Sequence, residues 1–161
     1  MKLDPASIGL LVAGTLFITF ILLKLLGPLP RDEETADARR RVADAKRRAR
    51  DRSHSPEQRA AALRDAAVAA LEGLGRPGLA ASYARRAERL DPLDPASVGL
   101  RAAALRRASR FRALERFLWR KLAEDEPGAA GYERAYEELL SLYDGPLRRP
   151  ETAQALRRLR G

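Results

Sequence analysis

"AALRDAAVAALEGLGRPGLAASYARRAERLDP", residues 61–92, decides the fold. Alanine and leucine dominate the stretch and β-branched residues are scarce, which favours helix over strand. A helix running in from Arg59 ends at Gly75, because glycine accepts the left-handed conformation that closes a helix. A second begins near Pro77, where a missing N–H at the first helical position costs nothing, and Pro92 stops it. Two short antiparallel helices touch closely only where small side chains meet, and this stretch is rich in them.

The same punctuation continues on both sides. Upstream, Ser55-Pro56-Glu57-Gln58 has the form of a capping box. Downstream, Asp94-Pro95 predicts a third helix that breaks near Ser109-Arg110. "RALERFLWRKLAEDE" predicts a fourth, ended before Pro127-Gly128. "GYERAYEELLSLYDG" and "PETAQALRRLR" predict a fifth and a short sixth. The stops at Pro92 and Pro127 are 35 residues apart. A period of about 34 residues with a terminal proline marks arrays of helical hairpins.

Residues 61–92 resemble a tetratricopeptide repeat. Val68 and Leu71 stand where the first helix of that family packs, Gly75 at the tight turn, and Ala80 where the two helices cross. Tyr83, Ala87, Leu90, Asp91 and Pro92 match the second helix and its end. Residues 95–127 match less well: Phe111 fits the turn aromatic, but Leu114 and Lys121 replace residues expected to be small. Residues 129–160 match in helical pattern alone. The resemblance covers about two-thirds of the chain. It implies a groove lined by the first helix of each pair, holding a segment of another protein. Carried over, the groove positions are Asp65, Ala69 and Glu72 in the better repeat and Ala103, Arg106 and Arg107 in the weaker one. The Lys and Asn set with which some members grip a C-terminal carboxylate is absent. Tyr132, Tyr136 and Tyr143 with Leu139 and Leu140 form an apolar face expected to be core, as are Phe117 and Trp119.

The N-terminal part has another character. "LDPASIGL" at Leu3 and "LDPASVGL" at Leu93 are one helix-start word used twice. After the first copy comes "LVAGTLFITFILL"; after the second, arginine recurs among alanine and leucine. The word is therefore a shared local signal and not a duplicated domain. Residues 1–7 form a short tail. Ile8 to Leu26 would span about 28 Å as a helix, close to a bilayer's hydrocarbon thickness, which predicts a transmembrane helix over 8–26. Lys24 lies near its end, where its stem can reach the headgroups. "LKLLGPLP" lacks the small-x-small site that a cleaved signal peptide needs. Gly9 and Ala13 are spaced as in close-packed membrane helices, though both residues are common in spans anyway. Lys24, Arg31, Arg39, Arg40 and Arg41 outweigh Lys2, so the C-terminal domain is expected on the cytoplasmic side of the inner membrane.

Residues 27–54 are expected to be a basic juxtamembrane linker, partly helical, with a thin seam of Ala38, Val42, Ala45 and Ala49. Its Arg39, Arg40, Arg41, Lys46, Arg47 and Arg48 suit anionic lipid headgroups, at about 1 kcal/mol for each residue near the surface. Nucleic acid is disfavoured, because no aromatic side chain stands among these cations to stack on bases. Residues 55–161 complete the chain as the helical-repeat domain.

Overall the 161 residues carry a formal charge of +9, made almost wholly of arginine, which permits anionic partners. Heavy use of arginine and alanine suits a GC-rich, bacterial genome. There is no cysteine, so disulfides and thiolate metal sites are excluded. "GRPG" is a turn and not a phosphate loop. His54 is the single histidine, in a turn between serines, and Glu137 and Glu138 are neighbours that point to different helix faces. No cofactor and no enzymatic activity are expected. The sequence thus predicts an all-α, single-pass membrane protein with a short tetratricopeptide-like array. It would act as an adaptor or accessory subunit for a membrane-associated protein. Two alternatives remain: a structural subunit packed permanently in a complex or homo-oligomer, and a lipid or nucleic-acid binder driven by the basic stretch.

Overall fold

A computed structural model of the protein describes residues 32–160. They form seven helices and no strand: α1 (Asp32–Arg50), α2 (Pro56–Val68), α3 (Pro77–Leu90), α4 (Pro95–Arg107), α5 (Phe111–Glu124), α6 (Ala130–Asp144) and α7 (Pro150–Arg160). The tail 1–7, the apolar run 8–26 with its predicted membrane crossing, and the Gly9/Ala13 pair lie outside the described residues. Among the described residues no helix is long and apolar enough to cross a membrane.

The helix boundaries follow the chemistry of their ends. Ser55 Oγ accepts the Gln58 N–H at 3.3 Å, and the Gln58 side chain accepts the Ser55 N–H at 3.0 Å, so the capping box is formed in both directions. The last turn after α2, Ala69–Gly73, widens to a π-helix. Gly75 then turns left-handed with φ of 59°, and the Arg76 N–H closes onto the Ala70 carbonyl at 2.8 Å. The next hairpin solves the same problem without glycine. Ser109 takes φ of 54° while the N–H groups of Ser109 and Arg110 cap the carbonyls of Arg106 and Leu105 at 2.9 and 3.0 Å. An L-residue held left-handed costs about 1 kcal/mol or more. Ser109→Gly is therefore expected to raise the unfolding free energy by about 0.5–1 kcal/mol. Urea denaturation reads this directly, and a fall in midpoint would mean that the serine hydroxyl holds the turn.

Short loops send each helix back along its neighbour. Successive helices from α2 onward pack in order, and the first helices of successive hairpins also touch, α2 with α4 and α4 with α6. From Thr35 onward the chain is one compact unit that includes most of α1. The seam seen in the sequence is the face α1 buries: Ala38, Val42, Ala45 and Ala49 are all covered, the last three within one cluster with α2 and α3. Arg59 Nε donates to the Ala49 carbonyl at 3.1 Å and Arg48 reaches Asp65 at 3.0 Å, which hold the end of α1 on α2.

Two clusters of buried side chains differ in kind. The one around α1, α2 and α3 is mostly alanine, including Ala66, Ala80 and Ala87, each fully buried. Small side chains lose little rotamer entropy and let helix axes approach, but each removes little apolar surface from water. The other, around α4 to α7, is built from larger residues such as Leu114, Phe117, Leu118, Leu139 and Tyr143. Leu114, where the resemblance expects a small residue, is fully buried in this second cluster. Of the expected core residues, Phe117, Tyr136, Leu139 and Tyr143 are buried and Tyr132 and Leu140 half-buried.

Two expectations are corrected. Val68 does not pack inward but is 39% exposed, because it shares an open face with Asp65 of α2 and Glu72 of the turn that follows, at i, i+3 and i+7. Trp119 is not core but 42% exposed. It lies five positions from Leu114 and off the buried stripe of Leu114, Phe117, Leu118 and Lys121.

The alanine-rich half has no slack. A Cβ added at Gly73 would overlap the Cβ of Ala38. Helix propensity alone would favour Gly73→Ala by about 1 kcal/mol, but here the new methyl must push α1 away. We expect amide-exchange protection over residues 38–49 to fall while that of α4 to α7 is unchanged. Unchanged protection in α1 would show that this contact does not hold it.

Candidate interaction surface

The groove positions implied by the resemblance are only partly open. Asp65, Glu72, Ala103 and Arg107 are exposed, and Asp65 is bridged to Arg48. Ala69 is buried, contrary to its assignment. It falls in the widened turn and joins the alanine cluster, and Val68 takes its place on the open face. Arg106 is half-buried, 2.6 Å from Glu138 and 3.2 Å from Ser141 Oγ, so its charge is already compensated. None of these six residues lines either concavity that flanks α5. On α1, Arg39, Arg40, Arg41, Arg47 and Arg48 are exposed and Lys46 is half-buried; Asp37, Asp44 and Asp65 pair with Arg41, Arg47 and Arg48.

The concavities that concern function flank α5. Its sequence is amphipathic with one stripe inward, so the residues beside that stripe form two shoulders. On one side a groove of about 610 Å³ runs between α5, α6 and α7, lined by Trp119, Leu122, Pro127, Tyr132, Tyr136 and Leu156 among others. The polar atoms of its buried aromatic side chains are bonded within the protein. Trp119 Nε1–H donates to Tyr143 Oη at 2.9 Å, and the Tyr143 hydroxyl donates to Glu115 at 2.7 Å. Arg149 approaches the same carboxylate oxygen at 3.4 Å. Tyr136 Oη donates to the Leu156 carbonyl at 3.1 Å. Burial, and then the Glu115 carboxylate, push the Tyr143 hydroxyl above its ordinary pKa, so it remains a proton donor. The indole is thereby fixed with its carbon face toward solvent.

No family model, curated protein or solved structure matches this chain.

On the other side of α5 a smaller cleft of about 250 Å³ opens toward α3 and α4. Five cationic side chains and two anionic ones line it. Arg101 is internally committed: it pairs with Glu88 at 2.6 Å and stacks over the Phe117 ring at 4.0 Å from its centre. Lys121 is likewise committed, to Asp125 and to the Pro92 carbonyl. Arg85 and Arg89 of α3 and Arg120 of α5 have no carboxylate partner among the described residues. The cleft thus holds three unpaired arginines against one glutamate, Glu124, beside the paired Arg101 and Lys121.

Among the described residues no group of three His, Cys, Asp or Glu side chains could share a metal ion. His54 stands beside Asp51 at 3.4 Å, away from both concavities. The arginines and Trp119 of α5 were legible in principle. Arg112, Arg116 and Arg120 recur every fourth residue on the side of the helix opposite its apolar stripe, and Trp119 falls among them.

Proposed function

We propose that this protein is a single-pass bacterial inner-membrane adaptor or accessory subunit, anchored by residues 8–26. Its tetratricopeptide-like array holds a protein partner on the cytoplasmic side. The packing order carries this reading. Each helical hairpin from α2 to α7 leans on the next, and α2, α4 and α6 touch in turn, as expected of a short hairpin array. Such arrays present surface rather than a chemical centre. The fully buried Ala80 and Ala87 agree with the residue pattern of the better repeat. The basic outer side of α1 suits anionic headgroups as a secondary contact.

The test is affinity purification of the full-length protein from gently solubilised membranes. A stoichiometric protein partner released by salt is the expected result. A partner that resists a high-salt wash would favour the permanently packed subunit, and a protein that elutes alone would overturn the adaptor. The native chain has no cysteine, so an Ala103→Cys variant reports topology by itself. Labelling with an impermeant maleimide is expected only after the membrane is opened.

A further inference from the structure

We propose that the two concavities flanking α5 form one docking site for a short acidic peptide segment of a protein partner. An apolar anchor would sit in the groove beside Trp119, and carboxylates a few residues away would lie over Arg120, Arg85 and Arg89. This rests on reading the domain as an interaction module, and it moves the contact from the implied first-helix groove to the α5 face.

The geometry sets the spacing. The groove and the cleft lie on opposite flanks of one helix, whose exposed ridge carries Arg112, Arg116 and Ala123. A helix is about 10 Å across. A crossing strand advances about 3.3 Å per residue, so three or four residues separate anchor from carboxylates. Chemistry selects the occupant. Tryptophan and arginine together are the side chains that most often dominate protein interfaces. Trp119 offers only carbon, since its N–H is bonded to Tyr143. That disfavours seating in a membrane interface, where the indole N–H faces the headgroups. Glu124 in the cleft would repel a continuous polyphosphate backbone. Isolated carboxylates on a peptide can be placed around it. Arg85, Arg89 and Arg120 supply the complementary charge.

Trp119 is the only tryptophan in the chain, so its fluorescence reports the site alone. The probe is a synthetic peptide with Phe and Leu at one end and three glutamates four residues away. It would be titrated into the full chain in neutral detergent. We expect a saturable blue shift that weakens about tenfold between low salt and half-molar salt. Replacing the glutamates with lysines should abolish it. The triple variant Arg85→Ala/Arg89→Ala/Arg120→Ala should bind about tenfold more weakly. Trp119→Ala, followed by anisotropy of a labelled peptide, should bind about a hundredfold more weakly. No blue shift with the acidic peptide would overturn the proposal. So would equal binding of an acidic peptide that lacks the apolar anchor. A blue shift with phosphatidylserine vesicles and none with the peptide would also overturn it, in favour of a membrane surface. The two readings fail separately. If a partner recovered from membranes still binds after the Trp119 and triple-arginine substitutions, the adaptor stands and this site falls. If the peptide binds but no partner is recovered, the site stands and the adaptor falls.

Discussion

Lys121→Ala is expected to lower the unfolding free energy by about 3 kcal/mol, the range for stripping one partner from a buried ion pair. The Lys121 side chain is only 4% exposed. Its Nζ pairs with Asp125 at 2.8 Å and donates to the Pro92 carbonyl at 3.0 Å. One ammonium therefore ties the end of α5 to the loop that joins α3 to α4. Truncation would strand the Asp125 carboxylate, itself largely buried, and leave the volume of the lysine stem empty. Lys121→Met separates these effects, since it keeps the stem and loses only the charge and its bonds. It should cost less than alanine. Adding Asp125→Ala to Lys121→Ala should cost little more, because the stranded charge is then gone, giving a coupling energy of about 1–3 kcal/mol. Urea denaturation of the variants measures all of these. A loss below about 1 kcal/mol for Lys121→Ala would mean that water, and not the protein, solvates the ammonium.

The same residue shows how far the sequence could be read. The resemblance expects a small side chain at position 121, so lysine there made the second hairpin look poorly packed. The conflict is resolved by atoms distant in sequence: the stem fills the space, and the charge is met by the carbonyl of residue 92, 29 positions away. Local signals were legible throughout. Ser55, Gly75, Pro77, Asp94 and Pro95 act on their own backbone neighbours and mark the helix ends that the structure has. The seam of α1 was legible as spacing, but its partner was not, since period alone does not say which helix a face will meet. The widened turn at Ala69–Gly73 was not visible either. Val68, by contrast, shares its exposed face with Asp65 and Glu72 at ordinary helical spacing, which the sequence already held. Trp119 was misread because its size suggests burial. Its position on the wheel, among Arg112, Arg116 and Arg120, was the better guide.

The eight-residue word at Leu93 carries the second large effect. Asp94→Ala is expected to cost about 2–3 kcal/mol, more than the loss of an ordinary helix cap. Asp94 accepts the N–H groups of Ala96 and Ser97 at 3.1 and 3.0 Å and also the Ser97 hydroxyl at 2.7 Å. Arg64 of α2 pairs with it at 2.6 Å. Ser97 is fully buried, so alanine at 94 removes the cap and also leaves a buried hydroxyl without its acceptor. Asp94→Asn keeps the capping oxygen and gives up the charge, and should lose about 1 kcal/mol. Acidity distinguishes the two contributions. Burial pushes the Asp94 carboxyl up. The hydrogen bonds from Ser97 and Ala96, with the Arg64 charge, outweigh it, and the net pKa lies below the ordinary 3.8. A depressed carboxylate contributes its full stability above its unfolded value and loses it as pH falls through the folded one. The gap between the native chain and Asp94→Asn should therefore be widest near neutrality, begin to narrow below about pH 4, and keep narrowing as pH falls through the depressed folded pKa. A gap that does not narrow at all as pH falls from about 7 into the acid range would assign the cost to altered hydrogen-bond geometry, and the charge that joins the first hairpin to the second would then carry no weight.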